Sequence, residues 1–139
     1  MPLEAPHPSA AGNPRVAWIQ IQGRPILSLD FGDATLADSL AMLQALPKAF
    51  EAQDLNSVRV LNNLEGVAYD PGVNAKWKSE MVKFNPFIRA CAVHGASGLS
   101  GVVTTAFSEL VTLLNLPNSA MKIRSFKTRD NAVEWLLRS

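Results

Sequence analysis

The chain has 139 residues, 47% hydrophobic and 18% charged, with 13 basic against 12 acidic side chains and a net charge of +1. That length suits one domain with its own core, the composition is too apolar for disorder, and the near-neutral balance excludes a general nucleic-acid binder. One cysteine, Cys91, excludes an intrachain disulfide and a multi-cysteine metal site, and two histidines, His7 and His94, cannot assemble a histidine metal cluster.

Residues 1–14 (MPLEAPHPSAAGNP) are rich in Pro, Ala and Gly and show no hydrophobic period. This predicts a disordered tail over 1–14 and a folded domain over 15–139. The start lacks the basic-then-apolar pattern of a signal peptide. Ala90 to Ser108 carries no Asp, Glu, Lys or Arg, but its histidine, glycines and hydroxyls suit a strand and a helix start. No stable membrane insertion is expected, and the expected address is the cytoplasm.

Arg15 to Gln22 and Pro25 to Phe31 both alternate in polarity around a Gly23-Arg24 turn, which predicts an antiparallel hairpin. A helix capped by Thr35 or Asp33 should run to about Gln53, with Leu36, Leu40, Leu43 and Phe50 on its stripe. Pro47 predicts a kink or break near Ala45 to Leu46. Ser57 to Leu64 reads as a strand with Asn62 and Asn63 at its C-terminal end, where ligand crevices of open α/β sheets lie. The alternative is that these amides tie down the next loop.

An Asp-Pro-Gly turn then leads into a helix from about Val73 to Phe84. Its stripe is Val73, Trp77, Met81 and Phe84, and its lysines suit a solvated flank better than a membrane-surface face. Phe87 to His94 is the next strand. It exits through Gly95-Ala96-Ser97-Gly98 into a helix striped by Leu99, Val102, Val103, Ala106, Leu110, Leu113 and Leu114. Phe107 and Val111 form a second ridge on that helix, suited to a neighbouring helix or to a homodimer. Ala120 to Phe126 alternates as a half-exposed edge strand does, and Thr128 caps the last helix.

Three groups could carry chemistry. The Gly95 to Gly98 turn could hold an anion on free helix N–H groups, but it matches neither the P-loop nor the dinucleotide fingerprint. Ser97 reads as a helix N-cap. It could serve as a nucleophile only with His94, because no histidine follows it, and the turn is not G-x-S-x-G. The hydrolase is therefore the outlying reading. His94 could act as an acid or base near neutral pH. Carboxylates such as Asp30, Asp33, Glu65 and Asp70 lie near loop ends, with no spacing that marks a catalytic pair.

Three stretches carry a family resemblance: SVRVLNNLEG from Ser57, FNPFIRACAVHGASGLSGVV from Phe84 and IRSFKTRDNAVEWL from Ile123. With the element order, they resemble the STAS superfamily, in particular bacterial STAS-like proteins grouped with anti-sigma factor antagonists. The likeness runs from about Val16 to Arg138. Its marks are the V-x-G-x-S-G-L-like exit at Val93 to Leu99 and the F-x-(S/T)-x-x-x-A-x-x-W-L ending at Phe126 to Leu136. It implies an α/β domain with one mixed, mostly parallel sheet of about five strands, an N-terminal hairpin and about four packed helices. It also implies an interaction module that binds a protein partner through the loop and helix after the third strand. Such modules carry a phosphorylated serine in a D-S-(S/T)-G motif. Here the matching residues are Asp70-Pro71-Gly72-Val73, without a hydroxyl, and Asn63 stands where an acidic residue is frequent.

The leading expectation is thus a non-enzymatic regulatory domain without the usual phosphoacceptor and without a cofactor. Its surface would comprise Asn62, Asn63, Asp70, Gly72, Trp77, His94, Gly95, Ser97 and Gly98. The alternative is a binder of a small apolar or anionic ligand in the crevice at the strand ends, since structural relatives of the family include lipid carriers.

Overall fold

In the computed structural model, the described residues are 4–6, 12–95 and 122–139. They form strands β1 (Glu4–Pro6), β2 (Val16–Ile21) and β3 (Arg24–Asp30), helix α1 (Leu36–Ala49), strand β4 (Val58–Asn63) and helix α2 (Pro71–Phe84). A single 3₁₀ turn (Asn85–Phe87) then leads to strand β5 (Ile88–His94), and strand β6 (Lys122–Phe126) and helix α3 (Arg129–Arg138) follow. The six strands lie side by side in chain order. The pairs β1–β2 and β2–β3 are antiparallel, and β3–β4, β4–β5 and β5–β6 are parallel. The mixed, mostly parallel α/β sheet is therefore present with six strands, one more than expected. The helix expected after Ser97 lies outside the described residues, within which there are three α-helices.

The extra strand corrects the tail expectation. Glu4–Pro6 pairs with Ile19–Ile21, because an edge strand offers free N–H and C=O groups that do not depend on side-chain pattern. The hairpin turns on Gln22-Gly23, one residue earlier than expected, with both residues at positive φ (50° and 77°) as a two-residue hairpin turn requires.

Helix α1 opens with a reciprocal capping box: Asp38 N–H donates to Thr35 Oγ1 (3.1 Å), and Thr35 N–H donates to Asp38 Oδ2 (2.9 Å). It runs through Pro47 instead of breaking at Ala45 to Leu46. Pro47 sits in the last turn, so the ladder has little left to lose, and Phe50 N–H still reaches Leu46 O at 3.0 Å. The buried face is Ser39, Met42, Leu43, Ala45, Leu46 and Ala49; of the stripe read from sequence, Leu43 and Phe50 are buried, Leu40 packs against the core in part, and Leu36 is left outside. Leu36 in the first turn is 38% exposed.

Strand alternation divides the core into two. Leu27, Leu29, Val58, Val60, Cys91, Val93 and Ile123 face α1 and α2, together with Phe31, Trp77, Met81 and Phe84. Ile19, Ile26, Leu61, Ala90 and Ala92 face the other way, against Ala132, Val133 and Leu136 of α3. The small Ala90 and Ala92 let α3 sit close to the sheet. Arg59 reaches Leu136 O (3.1 Å) and Ser139 O (2.7 Å), so it satisfies carbonyls at the end of α3.

Candidate functional site

Helix α2 begins at Pro71, two residues before the sequence reading placed it. Asp70 is its N-cap, with Oδ2 accepting from Val73 N–H at 3.0 Å, and Pro71 follows where a missing N–H costs nothing. The first turn is thereby closed without a serine or threonine. One turn further on, Trp77 is nearly buried. Its Nε1–H donates to Ser39 O on α1 (3.3 Å), and its ring meets Phe31 edge-on at 4.8 Å. These contacts hold α2 at a fixed angle over the C-terminal halves of β4 and β5.

Beneath α2 lies a cavity of about 130 Å³. Its walls are Phe31, Leu64, Val67, Tyr69, Val73, Trp77, Met81, Val93 and Ile123, with Ser39, Asn62, Ala68, Asp70, Asn74 and Cys91 completing the lining. None of these lining residues is cationic, and the single carboxylate is Asp70.

Asn62 and Asn63 are neighbours in sequence and point to opposite faces. Asn62 shares the face of Val60 and is 7% exposed. Its Nδ2 donates to Cys91 Sγ (3.0 Å) and Ala92 O (3.3 Å). Those two acceptors fix the amide orientation. Burial pushes the Cys91 thiol up to about 12, with the Asn62 hydrogen bond acting weakly in the other direction. The sulfur is therefore a protonated wall atom and not a nucleophile.

Asn63 lies on the α3 face and serves the loop. Its Nδ2 donates to Asp30 Oδ1 (3.1 Å), and its Oδ1 accepts from Glu65 N–H (3.0 Å). The backbone repeats the clamp, with Phe31 N–H donating to Asn63 O (2.8 Å) and Leu64 N–H to His94 O (2.9 Å). Gly95 closes this corner at φ 78°, and a Cβ there would meet Asn63 Oδ1 and Glu65 N at 2.8 Å. Only glycine fits both the conformation and the approach. His94 follows the same alternation onto this face and is 9% exposed. Burial lowers its pKa first and the Arg129 charge adds to that, while the carboxylates of Asp30 and Glu65 oppose both.

The surface expected from sequence thus divides. Asn62, Asp70 and Trp77 meet at the cavity. Asn63 and His94 do not line it, because alternation sends them to the other side of the sheet, and Gly95 lies at the corner just past β5, beside Asn63 and Glu65. Gly72 belongs to the first turn of α2 beside Asp70 and is not part of the lining. Ser97 and Gly98 lie outside the described residues. Sequence reasoning missed Phe31, Ser39 and Cys91. The available signal was parity: Asn62 follows Val58 and Val60 on one face, and a polar residue continuing a buried apolar row marks a cavity or a satisfied amide. Among the described residues no cluster of His, Cys, Asp and Glu could hold a metal ion, and no helix is long and apolar enough to cross a membrane.

No protein-family model matches the sequence, and comparison with curated proteins finds no match. Among solved structures, the chain is similar to an uncharacterized protein of the DUF3478 family from Shewanella loihica PV-4, which has a SpoIIAA-like fold. The TM-score is 0.56 at 11% identity, over 98% of this chain and 95% of that one. The fold is SpoIIAA-like. The STAS likeness read from Val93 to Leu99 and Phe126 to Leu136 therefore holds at the level of fold.

Proposed function

We propose that this SpoIIAA-like domain is a non-enzymatic binding module whose working element is the cavity under α2, and that it takes a small, neutral, largely apolar ligand. The observation that supports this reading most is the cavity itself, walled by aromatic and aliphatic side chains where open α/β sheets bind ligands, at the C-terminal ends of parallel strands. The anionic version of the ligand hypothesis is weaker. Among the described residues no cation lines the cavity, Asp70 places a carboxylate there, and the α2 N-terminus is already capped. The phosphoswitch of the better-known STAS modules has no hydroxyl to act on between Asp70 and Val73. Regulation of a protein partner would then run through ligand occupancy under α2.

The test is a titration of the whole chain with toluene, followed by amide chemical shifts. Saturable shifts at Val67, Tyr69, Val73 and Trp77 are expected, and Val73→Phe, which fills the cavity, should abolish them. Shifts that never saturate, or that persist unchanged in Val73→Phe, would remove the ligand-binding reading.

A further inference from the structure

Asn62 carries a polar atom that the fold leaves unused. Its Nδ2 is committed to Cys91 Sγ and Ala92 O, and because Ala92 O can only accept, the amide cannot be turned round. Its Oδ1 has no hydrogen-bond partner among the described residues, although Asn62 is 7% exposed and lines the cavity. That oxygen is not sealed in the core, so a donor entering the cavity can reach it. Asn63 next door makes the contrast, since both ends of its amide are used within the protein. Ser39, 2% exposed, brings a hydroxyl to the same lining.

The size of the space narrows what could satisfy Asn62. An apolar cavity of roughly 150 Å³ admits one benzene ring, and this one measures about 130 Å³. Phe31, Trp77 and Tyr69 supply aromatic walls suited to a flat ring. Asp70, and the lack of a lining cation among the described residues, disfavour a carboxylate or phosphate. Resting on the ligand-binding reading above, we propose that the cavity selects neutral single-ring compounds bearing one hydrogen-bond donor, a phenolic hydroxyl or a ring N–H, which donates to Asn62 Oδ1.

Phenol and toluene test this, because they have the same number of heavy atoms and differ in the donor. Their different affinities for water cancel when each is measured on the wild-type chain and on Asn62→Leu, which keeps the side-chain volume. The ratio of the toluene Kd to the phenol Kd should fall about tenfold in Asn62→Leu, the worth of one hydrogen bond at the favourable end of its range. A second measurement needs no variant. The side-chain carbonyl ¹³C resonance of Asn62 in the wild-type chain should move downfield with phenol and stay in place with toluene. If both compounds bind but the ratio is unchanged and the carbonyl resonance is unmoved, the donor selectivity is wrong and the cavity remains a binding site. If neither compound binds, the ligand-binding reading falls and takes this inference with it.

Discussion

Cys91 shows how far one buried side chain can report on the site. Its thiol lies in the cavity wall, and its Sγ is the acceptor that helps hold Asn62 in place. Burial raises its pKa from 9.0 to about 12, so the folded chain keeps a proton that the unfolded chain gives up. Between those values the native state binds more protons than the unfolded state, and stability falls as pH rises. The slope from this group alone is about 1.4 kcal/mol per pH unit. Other groups titrate in the same window, so the expected observation is a difference. Urea unfolding from pH 9 to 11 should show a shallower loss of stability in Cys91→Ala than in the wild-type chain. Parallel curves would mean that the thiol is reached by water. The wild-type thiol should also resist a water-soluble disulfide reagent until urea unfolds the chain.

At the scale of elements, the parts legible in sequence are those set by local chemistry. The alternation of β2 and β3 and the caps Thr35 and Thr128 all follow from residues within a few positions of one another. Thr128 Oγ1 accepts from Asn131 N–H at 3.2 Å, as a cap before α3 should. The parts that escaped depend on what packs where. On α1 the sheet beneath decides which residues are covered: Leu43 and Phe50 of the apolar stripe are buried, but Ser39, Ala45 and Ala49 are covered too and Leu36 is not. Pro47 is tolerated because the helix ends two residues later, at Ala49. The candidate site was half legible: Asp70 and Trp77 could be placed by turn signal and helix period, but separating Asn62 from Asn63 required the strand register. The Thr35 capping box gives a direct check. Thr35→Ala should lower the unfolding free energy by about 1 kcal/mol, with the slope against denaturant unchanged. A change below about 0.3 kcal/mol would show that the tertiary packing of Met42 and Leu46 sets the helix start without help from the cap.

At the scale of the molecule, the sheet order is the sequence order, so the chain builds outward in one direction from the hairpin to β6. This puts the site beneath α2, away from the antiparallel edge, and it leaves β2 dependent on a three-residue neighbour for its cover. Strand β1 pairs with Ile19, Gln20 and Ile21 through three residues. An uncovered edge strand offers a row of free donors and acceptors to any second chain. Deleting residues 1–11 should therefore leave the circular dichroism spectrum and the toluene-binding amide shifts nearly intact, while sedimentation shows concentration-dependent dimers that the full chain does not form. Adding Gln20→Pro to the deletion should restore the monomer, because proline removes one edge donor and blocks pairing. If the shortened chain stays monomeric at the highest concentration tested, β1 is not an edge guard. If it associates but Gln20→Pro makes no difference, the contact lies elsewhere on the molecule.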